Sequence, residues 1–62
     1  MLNAIIKKYE AQIAEAEATI DIYLNNSVGI GEHPQHIDEM DKLFDKISTA
    51  REKLKEVEKW MI

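Results

Sequence analysis

Two segments of this chain repeat apolar residues at alternating steps of three and four, and this spacing constrains the fold more than any other feature. The first set is Leu2, Ile6, Tyr9, Ile13, Ala16, Ile20 and Tyr23, and the second is Met40, Leu43, Ile47, Ala50, Leu54, Val57 and Met61. A period of roughly 3.5 residues lines each set along one side of an α-helix, whereas a strand would need a period of two. We call the two sets together the seam. The chain is therefore predicted to be all-α.

The segment between the two sets holds both glycines and the only proline. The pair Asn25 and Asn26, with Gly29 after it, suits the end of a helix, where a left-handed residue closes the last turn. Pro34 suits the first turn of the next helix, because its missing N–H would be unpaired there anyway. We expect a single unit with a helix over about residues 2–25, a loop over about 26–33 and a helix over about 34–61.

Folding the second helix back on the first aligns the whole seam in one antiparallel register. Ala16 then faces Ala50 in the middle, and Ile20 faces Ile47 in the next layer. Because small side chains face small ones and large side chains face large ones in this register, the pattern predicts an antiparallel helix-loop-helix hairpin.

Apolar residues remain beside the seam after this pairing. They are Ile22, Leu24, Ile37 and Phe44 near the loop, Ile5, Trp60 and Ile62 at the open end, and a strip of Ala4, Ala11, Ala14 and Ala18. For a chain of 62 residues, apolar burial and conformational entropy are each on the order of 90 kcal/mol and nearly cancel. We therefore expect a homo-oligomer, a dimeric or tetrameric helical bundle. The alternative is that these are the scattered apolar residues normal on a monomer surface.

Composition excludes several classes of function. The chain has no cysteine, and it carries eight basic against twelve acidic residues for a net charge of −4. A partner made of duplex nucleic acid is not expected, because no basic face is visible. No apolar run has the length of a secretory or membrane-spanning segment, so we expect no membrane association and a cytoplasmic location.

Catalytic and metal sites are not predicted. His33 and His36 stand three residues apart near Ser27 and Glu32, but one loop does not supply the rigid scaffold that a catalytic arrangement needs. Pro34 separates the two histidines, and the sequence offers no second cluster of metal ligands. We expect exposed histidines beside a helix N-terminus, no cofactor and no enzymatic activity.

The loop is the predicted ligand site. It is longer than a hairpin needs, its glycine amides can approach a ligand closely, and the next helix begins with free amides that favour a phosphate or carboxylate. The candidate ligand-binding residues are Asn26, Ser27, Gly29, Gly31, His33, His36, Tyr23 and Arg51, the last from a neighbouring chain. A plain linker is the alternative.

The two seam tyrosines also leave alternatives open. The hydroxyls of Tyr9 and Tyr23 need partners if they are buried. The rings either reach the edge of the seam or frame a polar cavity with stacking faces.

The run Val28-Gly29-Ile30-Gly31-Glu32-His33-Pro34 resembles the loop of short helical-hairpin proteins of tailed phages. Small oligomeric phage proteins of this kind are similar to the anti-CBASS sponges, which sequester the cyclic dinucleotide signals of bacterial immunity. The resemblance implies nucleotide binding and immune evasion in a host cytoplasm. The alternative function is a non-enzymatic interaction module that binds and modulates a host or phage protein. A regulatory subunit of a phage complex is a further possibility, which the sequence does not distinguish from this module.

Overall fold

The computed structural model describes residues 1–25 and 34–61, which form two α-helices. Helix α1 spans Leu2–Asn25 and helix α2 spans Pro34–Glu58. The two helices pack against each other, so the prediction of an all-helical hairpin is confirmed. The predicted loop at 26–33 and Ile62, one of the apolar residues predicted beside the seam, lie outside the described residues.

Helix α1 starts at the second residue because Met1 supplies the first carbonyl acceptor. The amides of Ala4 and Ile5 donate to the Met1 carbonyl over 3.1 and 3.2 Å. Farther along, the Thr19 hydroxyl donates to the Glu15 carbonyl one turn earlier, at 3.0 Å. This hydrogen bond satisfies a side chain of modest helix propensity inside the helix.

Helix α2 ends earlier than the seam pattern predicts. Its last residue is Glu58, and the expected end near residue 61 is three residues too late. The amides of Lys59, Trp60 and Met61 instead donate to carbonyls three residues back, over 2.9 to 3.2 Å. Such tighter turns are common where the last carbonyls of a helix lack α-helical partners.

Contacts between the helices show that they run antiparallel. Going up α1, Tyr9 lies near Lys53, Glu17 near Arg51, and Tyr23 near His36, so the numbers fall along α2 as they rise along α1. Ile20 and Ile47 belong to one apolar cluster, as the predicted register requires. The partly buried Ile13, Met40 and Leu43 pack around this cluster, in agreement with the seam.

The buried core is small and sits at the middle of the seam. Among the described residues, the buried side chains are those of Ala16, Ile20, Ile47 and Ala50. The two alanines are the least exposed, at 1% and 2%, and their small side chains let two helix backbones approach closely. Both lie in the layer that the sequence places at the centre of the hairpin.

Replacing Ala16 or Ala50 by Leu should overpack this central layer. The expected loss is about 1–3 kcal/mol in the free energy of unfolding, since added methylenes force side chains and backbone out of position. Urea denaturation followed by circular dichroism measures it. Ala18→Leu is the matched control, because Ala18 is exposed on the same helix. If all three variants have equal stability, the register is wrong.

Candidate functional site

The predicted ligand-binding residues divide into two groups. Asn26, Ser27, Gly29, Gly31 and His33 lie outside the described residues. Tyr23, His36 and Arg51 lie within them, on the last turn of α1, the first turn of α2 and the middle of α2. The geometry of these three side chains is therefore the structural evidence on the predicted site.

Tyr23 and His36 form an aromatic pair at the end of the hairpin that borders the loop. Their ring centroids are 5.7 Å apart and their planes make an angle of 62°. This is an edge-to-face contact, which the charge distribution of aromatic rings favours over a parallel sandwich. Both side chains are half-buried. The pair thus combines two rings with polar atoms next to the glycine-containing segment.

The second seam tyrosine has a different environment. The Lys53 ammonium lies 5.5 Å from the centroid of the Tyr9 ring, within the range of a cation–π contact. Tyr9 is also half-buried. Both tyrosines therefore lie at the edge of the seam with a polar neighbour, the arrangement expected of rings that reach the seam edge.

Arg51 lies in a shallow groove on one side of the hairpin. Its Nη2 donates to Glu17 Oε2 across the two helices at 3.4 Å. The groove has a volume of about 430 Å³ and is lined by Glu17, Ile20, Asp21, Phe44, Ile47 and Arg51. The ion pair is more than half exposed on both sides, so it contributes about 0.2–1 kcal/mol at most.

Arg51 and the Tyr23–His36 pair are not brought together within one chain. Glu17, the ionic partner of Arg51, stands six residues before Tyr23 on α1, which is about 9 Å of helix rise. Two carboxylates, Glu17 and Asp21, line the groove with Arg51. The groove is therefore acidic on balance. If Arg51 binds an anion at the loop end, it must do so from a neighbouring chain, as the sequence predicts.

Exposed apolar side chains extend the groove toward the loop. Leu24 follows Glu17 and Asp21 at helical spacing on α1, and Ile37 precedes Phe44 by seven residues on α2, so each continues one wall of the groove. Leu24, Ile37 and Phe44 are 61%, 67% and 53% exposed. We call these three residues the loop-end patch.

The groove and its continuation were not recognised as one surface in the sequence. Leu24, Ile37 and Phe44 stood out as residues left over beside the seam, and Arg51 as a candidate ligand. The signal that joins them is the step of seven residues from Ile37 to Phe44 and from Phe44 to Arg51. This step keeps them on one side of α2.

Residues 1–25 and 34–61 contain neither a cluster of metal ligands nor a membrane-spanning helix. No group of three or more histidine, aspartate or glutamate side chains there could hold a metal ion. Neither helix has the length and apolar character to cross a membrane.

Comparison with protein-family models, with curated proteins and with solved structures finds nothing that matches this chain. The likeness of its loop to phage hairpin proteins therefore stays a prediction.

The Tyr23–His36 contact is directly testable by NMR. Tyr23→Leu should shift the imidazole proton resonances of His36, because the ring current of the tyrosine is lost while an apolar side chain is kept. Tyr9→Leu, the matched change at the other seam tyrosine, should leave them in place. Equal shifts in both variants, or none, would contradict the contact.

Proposed function

We propose that this chain is a non-enzymatic binding protein that captures a small anionic nucleotide, of the cyclic dinucleotide class, at the loop end of the hairpin. The observation that carries the proposal is the Tyr23–His36 pair, which sits where the two helices border the loop. The resemblance of the loop to phage hairpin proteins supports the same end of the molecule.

Each part of a nucleotide has a chemical counterpart at this end. An aromatic ring offers a stacking surface for a base, a contact worth about 1–3 kcal/mol. Helix α2 begins at Pro34, and the positive end of a helix dipole favours a phosphate. His36 lies in the first turn of α2, so its ring nitrogens add hydrogen-bonding capacity near both groups.

The charge of the protein sets a condition on this proposal. A net charge of −4 repels an anionic ligand at long range, so the affinity depends on local donors and stacking rather than on steering. Added salt screens that repulsion. The affinity should consequently hold or rise slightly with ionic strength, unlike that of a basic nucleic-acid-binding protein.

Isothermal titration against a panel of cyclic dinucleotides tests the proposal. The unmodified chain should bind at least one of them saturably. Tyr23→Leu should weaken binding by about tenfold, since one stacking contact is lost. Gly31→Val should abolish binding, because a branched side chain blocks close approach of the loop backbone.

Glu15→Gln is the matched control for these variants, because Glu15 is exposed on α1 and changes charge without touching the loop end. Its affinity should equal that of the unmodified chain. Saturation with no nucleotide in the panel would refute the proposal.

A second function is favoured by a different observation, the loop-end patch. Three large apolar side chains more than half exposed on one side are typical of a surface that binds another protein. On this alternative the hairpin is an interaction module that packs its groove side against helices of a partner and modulates it.

Site-specific photo-cross-linking in cells tests this alternative. Phe44 is replaced by its photoreactive analogue p-benzoylphenylalanine, which keeps an aromatic side chain at the patch. We expect a discrete cross-linked product at position 44 that mass spectrometry identifies as this chain joined to a different protein, rather than to a second copy of itself. The same group at Glu52, which is exposed on α2 away from the groove, should give none. Equal cross-linking at both positions would exclude the patch as a docking surface.

A further inference from the structure

The hairpin exposes more surface than a compact protein of its mass. The chain exposes 5164 Å², whereas a compact monomer of 7.2 kDa exposes about 4,100 Å² by the usual scaling. The excess of roughly 1,000 Å² is similar to the area that each partner buries in a standard protein interface, about 800 Å². Its radius of gyration, 14.5 Å, likewise exceeds the roughly 10.6 Å of a compact chain. The shape therefore has room for one more layer of helices.

The groove side carries opposite charges on its two walls. On α1, Glu17 and Asp21 line the groove one turn apart, so this wall is acidic there. On α2, Arg51 lines the groove and Lys55 follows one turn later, before Glu58, so the stretch of this wall at the level of Glu17 is basic. A face with one acidic and one basic wall is complementary to itself when a two-fold axis exchanges the walls.

We propose that the groove side is the interface with a second copy of this chain, in a two-fold symmetric four-helix bundle. The axis runs parallel to the helices, so that α1 of each copy packs on α2 of the other and both loop ends lie at the same end. A two-fold axis perpendicular to the helices would instead set acidic wall on acidic wall. Electrostatics thus selects the first arrangement, since like charges placed opposite each other weaken association.

The observed register then fixes the opposing residues. Because Ile20 is level with Ile47 in one chain, Leu24 is level with residue 43 and Glu17 with residue 50. The two-fold rotation that exchanges the walls leaves every residue at the same height along the helices, so these levels also hold between the two copies. Arg51 therefore lies opposite Glu17 of the second copy, and Phe44 lies opposite Leu24 of the second copy. The loop-end patch is covered by the same patch of the partner, and the marginal core of the lone hairpin becomes the core of a bundle.

Sedimentation equilibrium on the intact chain is the first test. We expect twice the chain mass at micromolar concentration. Arg51→Glu and Glu17→Arg each place like charges opposite one another at two symmetric points, and each should weaken dimerisation by about tenfold or more. An equimolar mixture of the two variants should regain the dimer, because each new charge then meets its opposite. Glu15→Gln, on exposed α1, should dimerise like the unmodified chain.

Cysteine cross-linking fixes the arrangement, since the natural chain has no cysteine. Chains carrying Leu24→Cys and chains carrying Phe44→Cys should form a disulfide when mixed and oxidised, and neither should cross-link alone. Absence of a disulfide in the oxidised mixture would overturn the proposal, because Leu24 and Phe44 of the two copies would then not face each other.

Two other results would also overturn it. One is a folded monomer across the micromolar range. The other is a dimer insensitive to both charge inversions, which would show that a different face is used. A monomeric chain that still binds a cyclic dinucleotide would overturn the proposed dimer but not the proposed function.

Discussion

The structure depends on how little apolar surface two helices can bury against each other. A pair of helices has one contact line, and here it encloses two alanines and two isoleucines at its centre. Burial of whole apolar side chains contributes about 1.5–3 kcal/mol each, so this core offsets only part of the entropy of ordering the chain. Every other prominent feature follows from that shortage. The helices are long, the hairpin is elongated, and apolar side chains remain on its outside.

Small residues at the centre explain where the outer apolar residues lie. Ala16 and Ala50 allow a close approach but contribute little area, so the larger side chains of the seam are only partly covered farther out. On the groove side, Phe44 lines the groove together with residues of the other helix and still stays half exposed. A third and fourth helix would cover it without disturbing the central layer. The apolar exterior is thus the consequence of pairing only two helices.

The loop end and the groove between the helices differ in chemistry, and the two proposals rest on this difference. The loop end holds the edge-to-face pair of Tyr23 and His36, two aromatic rings with polar atoms. The groove between the helices combines apolar side chains with paired charges, which suits another helical surface. If two chains pack groove side against groove side as proposed, their Tyr23–His36 pairs lie at the same end of the bundle. Assembly would then place the two proposed ligand-binding ends at one end of the bundle, next to each other.

The sequence by itself determined the helices, their antiparallel register and the residues at the centre, because a repeat of three and four fixes one side of each helix and Ala16, Ile20, Ile47 and Ala50 occur at matching levels. It also placed the start of α2 at Pro34, for the reason that proline lacks an N–H. It did not determine the end of α2, since the seam pattern continues to Met61 while the last turn tightens after Glu58.

The contacts of Tyr23 with His36 and of Arg51 with Glu17 appear only in the tertiary structure. Helical periodicity gives the side of a helix but not the rotation of one helix about its axis relative to its neighbour. That rotation, set by packing around Ile20 and Ile47, decides which flanking side chains meet across the seam.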